Sequence, residues 1–299
     1  MEVLARKGKE ENAWIYLARF RNSPNHLVEF VDSVEPGIPR EKKWCINIST
    51  QFGCPVNCRL CDAGGSFQGN LTKEELLAQV KHVLNTRNFM KTEKLKVHYA
   101  RMGEPLLNPY VIESLLELSE VCKPNMPMAC IATTAPTASY QNLVRIAEIK
   151  DEYYRNGKFQ LQFSVNSTDE KVRDYLMPIK KMKLEELAAF GERYWDKTDR
   201  KINLNFALAK NVPVEPEVIA KLFNPDKFLI KITPVNPTKT AERNGLKSMI
   251  EFEGVPRIEL SEKFREYGFD VIVSIGAKEE IEIGSNCGQF VKMWNGANC

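Results

Sequence analysis

Cys54, Cys58 and Cys61 stand in the stretch STQFGCPVNCRLCDAGG, with three residues between the first pair and two between the second. A structural zinc site or a fully protein-held iron–sulfur cluster uses four ligands, so three thiolates leave one corner open. No Cys and His residues stand at zinc-finger spacing, and His26, His82 and His98 do not group with each other in the chain. The spacing suits a loop wrapped around a [4Fe–4S] cube, with thiolates on three irons and the fourth open to a non-protein ligand. A zinc ion completed by a distant residue is the weaker alternative.

The other cysteines are Cys45, Cys122, Cys130, Cys287 and Cys299. The N-terminal stretch MEVLARKGKEENAWIYLARF has no long apolar run, and nowhere does the sequence offer the ~20 apolar residues of a membrane span. A cytoplasmic setting without membrane is therefore expected. Thiols stay reduced there, and clustered cysteines read as metal ligands or reactive groups. The formal charge of +3, from 42 basic and 39 acidic residues, excludes a strong overall field. A nucleic-acid partner would need a local basic patch.

The elements that must position the cysteines alternate along the chain. Two strands, WIYLARF and HLVEFV, precede the strand KWCINIST. The helix TKEELLAQVKHVLNTRN follows, with Thr72 and Glu75 spaced as a capping box. Strands KLKVHYA, MACIATT, FQLQFSVN, KINLNFALA and KFLIKITPV then alternate with helical segments, and FDVIVSI closes the series. Six strand–helix units in order predict an α/β fold with a parallel sheet and right-handed crossovers. Six are too few for an eight-fold barrel. The expected architecture is a partial (β/α)6 barrel over residues 43–292, with a short N-terminal β extension over 1–42 and a tail over 293–299. Chemistry belongs at the C-terminal ends of its strands.

The cysteine spacing after the first barrel strand resembles the radical S-adenosylmethionine (SAM) superfamily. Further stretches narrow the likeness: RMGEPLLN at 101–108, FSVNSTDEKVRDYLMPIKK at 163–181, ITPVNP at 232–237 and NCGQF at 286–290. With STQFGCPVNC they resemble the RlmN/Cfr family of radical SAM methyltransferases, which modify an adenine of ribosomal RNA. The likeness runs from about residue 45 to 292. It implies a [4Fe–4S] cluster on Cys54, Cys58 and Cys61, with SAM chelating the open iron. It places SAM against Gly103, Glu104, Thr133 (or its neighbour Ala132), Ser164, Val165, Asn166 and Asn236. It makes Cys287 the methyl-carrying cysteine, and Glu29 resembles a glutamate assigned as proton acceptor. An adenine-containing RNA and a reducing partner such as flavodoxin or ferredoxin are expected, with the chain a monomer.

Departures accompany the likeness. The family's second cysteine, which frees product by forming a disulfide with the first, falls on Asn47 here. Cys45, two residues upstream, shares a strand face with Asn47 and would need a strand irregularity to reach the site. Cys122, Cys130 and Cys299 are the other candidates. The family's N-terminal RNA-gripping helical domain has no counterpart in the sequence, and SIGAKEEIEIGSN is acidic where the family has arginines. Arg173, Lys180 and Lys181 form a basic group that reads either as a solvated face or as a phosphate contact. The reading is a methyltransferase using Cys287 to methylate an electrophilic carbon, first of an adenine in RNA; the alternative is a radical SAM enzyme of the same lineage acting on a peptide or small metabolite.

Overall fold

The computed structural model describes residues 1–250, 259–275 and 288–297. Cys287 and Cys299 lie outside the described residues. Three antiparallel strands come first: β1 (Glu2–Lys9), β2 (Ala13–Arg19) and β3 (Leu27–Ser33). β3 pairs antiparallel with β4 (Trp44–Ile48), the first barrel strand. A two-residue ladder, β5 (Gln51–Phe52) with β6 (Gly69–Asn70), brackets the cysteine loop. Parallel strands β7 (Leu95–Tyr99), β8 (Pro127–Thr133), β9 (Phe159–Ser164), β10 (Ile202–Leu208), β11 (Phe228–Pro234) and β12 (Val271–Val273) then extend the sheet from β4 in chain order. Among the described residues the sheet stays open, with β1 and β12 at its edges. Expectation and structure agree on the partial barrel. β1 is an addition; it was not foreseen because EVLARKGK has neither an apolar run nor a clean alternation.

Helices α1 (Lys73–Thr86), α2 (Tyr110–Val121), α3 (Tyr140–Tyr153), α4 (Glu170–Leu176), α5 (Leu184–Tyr194), α6 (Pro216–Leu222), α7 (Lys239–Arg243) and α8 (Glu259–Glu266) fill the connections, and α9 (Gln289–Ala297) follows the last strand. α9 runs across the boundary expected at 292/293. The capping box on α1 forms in both directions: Glu75 N–H donates to Thr72 Oγ1 (3.3 Å) and Thr72 N–H to Glu75 Oε2 (2.9 Å). Such a cap stabilises a helix by about 1 kcal/mol.

The strands sort their side chains by face. On β4, Trp44, Ile46 and Ile48 are fully buried under the helices, while Cys45 and Asn47 point into the lumen and are only partly buried. β7 and β11 repeat the rule, with Lys96, His98, Lys231 and Thr233 inward. Apolar burial on the helix side therefore holds the barrel together, and the lumen is left polar. Asp32 joins the N-terminal strands to the barrel: its fully buried carboxylate accepts from Trp44 Nε1 (2.7 Å), from Arg87 (2.9 Å) and from Arg40.

Candidate active site

The cysteine loop leaves β5 at the C-terminal mouth of the barrel and is pinned from three directions. Arg59 donates to Tyr175 O (3.0 Å) and Asn244 Oδ1 (3.1 Å), which fastens it to α4 and α7. Thr238 Oγ1 donates to Leu60 O (2.9 Å). Asp62 accepts from Thr240 N–H (2.9 Å) and Oγ1 (2.7 Å) and from Lys292 Nζ (2.6 Å) on α9. Burial opposes the ionisation of Asp62, but Lys292 and Thr240 outweigh it and hold its pKa below the usual range. Asp62 and Lys292 escaped sequence reading; the one signal was an aspartate directly after a cluster cysteine.

Cys54, Cys58 and Cys61 line one cavity of about 220 Å³ together with Arg101, Gly103, Glu104, Ala132, Thr133, Thr134, Gln162 and Ser164. Burial pushes the Cys54 thiol up to about 12 and Cys58 well above its ordinary value, with the neighbouring cysteines adding to both shifts. Thiols so raised, as at Cys54 and Cys58, need a bound cation centre to ionise. N–H groups already point at sulfur: Ala63 donates to Cys61 Sγ (3.4 Å), and Val56 and Asn57 to Cys54. Among the described residues no three His, Cys, Asp or Glu side chains are arranged to hold a single metal ion. Three soft donors spread around one cavity, with amide hydrogens aimed at sulfur, fit a [4Fe–4S] cube.

Beside the cysteines the wall is acidic and rigid. Gly103 has φ +103°, and a Cβ there would stand 2.5 Å from Thr50 Oγ1. The turn thus requires glycine. Glu104 is buried, and its carboxylate accepts from Thr134 N–H (2.8 Å), Thr134 Oγ1 (2.9 Å), Leu106 N–H (3.2 Å) and Thr133 Oγ1. Burial raises its pKa, and these donors oppose the rise. Thr133 therefore acts on Glu104, and Ala132 also lines the cavity.

The remaining expected ligands fall differently. Ser164 lines the cavity. Val165 is packed in the main core with its N–H on Asn205 O (2.9 Å). Asn166, at φ +63°, accepts from Ala207 N–H (3.1 Å) and donates to Met177 Sδ. Asn236 is exposed in the loop after β11. Arg173 is fully buried against Glu170, and Lys181 is spent on Asp174 and Met177 O. Of that basic group Lys180 alone is exposed.

Cys45 is not brought to the cysteine loop. β4 pairs with β7 in unbroken register from Trp44↔Leu95 to Ile48↔Tyr99, so no bulge lifts it. Its electrostatic neighbours are Lys96, Lys43, Glu35 and Lys94, toward the far mouth of the barrel. It is a free thiol, as are Cys122 and Cys130.

Glu29 is fully buried on β3. Its carboxylate accepts from Gly288 N–H (2.7 Å), Phe290 N–H (2.9 Å) and Val291 N–H (3.3 Å), and pairs with Arg101. Burial raises its pKa; the Arg101 charge and these N–H groups pull it back. Gly288 has φ +79°, and a Cβ on it would stand 2.2 Å from Ala63 N. The residue following Cys287 is thus in backbone contact with the cysteine loop, two positions past Cys61.

No family model matches the chain. The probable dual-specificity RNA methyltransferase RlmN of Synechococcus sp. (strain CC9311) is 27% identical over 268 residues, covering 85% of this chain and 71% of that protein. The dual-specificity RNA methyltransferase RlmN of Nautilia profundicola is 27% identical over 289 residues, covering 91% and 76%. The chain is thus similar, at 27% identity over most of its length, to proteins named RlmN methyltransferases. A radical SAM methyltransferase from Sphaerobacter thermophilus shares the fold, with a TM-score of 0.70 over 96% of this chain and 80% of that one at 20% identity. In this shared fold the three-cysteine loop of the chain lies over the C-terminal ends of the strands. A [4Fe–4S] cluster and SAM are the cofactors that go with it.

Proposed function

We propose that the chain is a radical SAM methyltransferase that carries a methyl group on Cys287 and delivers it to an electrophilic aromatic carbon, first of an adenine in RNA. The observation that carries this reading is the contact of Gly288 with Ala63 under the grip of Glu29. It anchors the residue next to Cys287 beside the cysteine loop.

Cys54, Cys58 and Cys61 would hold the cluster, which supplies the electron that cleaves SAM, drawn from a flavodoxin- or ferredoxin-like donor. Glu104 supplies a buried carboxylate for the SAM ammonium, kept in place by Thr133 and Thr134. Ser164 and Ala132 shape the wall facing it. With every carboxylate oxygen committed to donors, Glu29 holds the Cys287 segment and Arg101 in position. An amidine carbon of adenine is electrophilic and does not attack SAM directly, so a protein thiol must accept the methyl group first.

The test is anaerobic incubation of reconstituted protein with deuterated-methyl SAM and total cellular RNA. Methyl-bearing Cys287 on intact-mass analysis and a deuterated methyladenine on nucleoside analysis support the reading. Cleavage of SAM to deoxyadenosine with neither product overturns it.

A second reading keeps the radical SAM chemistry but gives it a peptide or small metabolite. The internal use of Arg173 and Lys181 favours it, because both are withdrawn from phosphate binding at the surface.

A further inference from the structure

Below the cysteine cavity the barrel lumen is cationic. Lys96 and His98 point inward from β7 and Lys231 from β11, because the alternate residues on both strands are buried on the helix side. Near the far mouth Lys43, which pairs with Glu35, acts on His98, and Lys94 lies within the field of Lys96, Lys43 and Arg200. Among the described residues Lys96 and Lys231 make no ion pair with any Asp or Glu. Lys231 donates to an uncharged partner, Gln162 Oε1, at 3.2 Å. The inward charges act on one another: burial lowers the pKa of Lys231 and Lys96 lowers it further, and His98 is depressed by burial, Lys96, Lys231 and Lys43.

Half-buried like charges without a counter-ion are costly, and a fold keeps them where an anion restores the balance. Gln162 joins this cluster to the site above, since it both accepts from Lys231 and lines the cysteine cavity. We propose that Lys96 and Lys231, with neutral His98, form a binding site for a small multivalent oxyanion, a phosphate or polycarboxylate, on the floor of the cavity. A ligand held there by its anionic end would present its other end to the cysteine loop. The site does not depend on methyl transfer through Cys287, and Cys287→Ala should retain it.

The test uses the reconstituted protein and follows thermal unfolding in inorganic phosphate, in citrate and in sodium chloride of equal ionic strength. Phosphate or citrate near 100 times its dissociation constant should raise the midpoint by about 5 °C over chloride. The arm that shifts at lower concentration identifies the phosphate or the carboxylate source. Lys231→Met and Lys96→Met should each abolish the anion-specific shift and raise the midpoint in chloride, because a repelling charge is gone. Lys180→Gln, outside the lumen, should keep the shift. Lys231→Gln and Lys96→Gln serve if either Met variant fails to fold. Equal midpoints in all three salts, or a shift that persists in both lysine variants, would overturn the proposal.

Discussion

The carboxylate of Glu29 and the backbone N–H of Gly288 meet at 2.7 Å across 259 residues of chain. One buried side chain on an antiparallel strand thereby fixes the start of the last helix against the cysteine loop. Glu29 is half of a buried ion pair and also satisfies three backbone N–H groups, so removing it is strongly destabilising. Glu29→Ala should cost about 3–5 kcal/mol of stability. Hydrogen exchange at 288–292 should rise with it. Unchanged exchange there would mean that the other contacts of α9, among them Asp62–Lys292 and the packing of Phe290, hold it without Glu29.

Gly288→Ala tests the same junction from the other side. A methyl group would have to share space with Ala63 N, in a backbone conformation that L side chains seldom adopt. The expected result is loss of methylated Cys287 on intact-mass analysis, while the iron and sulfide content of the reconstituted protein stays normal.

Glu104→Gln turns an acceptor of several hydrogen bonds into a group that sets an NH2 against the hydroxyl and N–H donors of Thr133 and Thr134. Hydrogen bonds to charged groups contribute about 1.5–3 kcal/mol. SAM affinity by equilibrium dialysis should fall about ten-fold to a hundred-fold. Retention of wild-type affinity would remove Glu104 from the ammonium site.

His98 gives a pH dependence with a defined sign. Its folded-state pKa lies well below 6.5, because of burial and the nearby Lys96, Lys231 and Lys43. The unfolded chain therefore binds the proton more readily as pH falls through 6.5. Its contribution to stability is complete above that value and is lost progressively below it, by at most about 1.4 kcal/mol per pH unit. Denaturant unfolding at pH 7.5 and 5.5 should show this loss, and His98→Gln should flatten it.

How much of this was legible in the sequence depended on range. The cysteine spacing, the Thr72–Glu75 cap and the alternation of strands and helices are local patterns, and each stands in the structure where the sequence placed it. Gly103 and Glu104 were legible as a turn and a carboxylate at a strand end. Partnership was not. Arg173 and Lys181 read as a basic patch because the chain shows their charges but not their burial or their pairing with Glu170 and Asp174. Cys45 could be placed on the right face of its strand, but only the β4–β7 register shows how deep it sits. The lumen lysines, taken singly, look like ordinary solvated residues on alternating strands.

The clasp between β3 and α9 also sets an order of assembly. The cysteine loop and most of its supporting strands can emerge from a ribosome and fold while the thiol at 287 is still unmade. Glu29 must then wait, without its N–H donors at 288, 290 and 291, for α9 to arrive. In the proposed reaction, a centre that depends on position 287 remains incomplete, and therefore harmless, in any nascent chain that stalls before that residue.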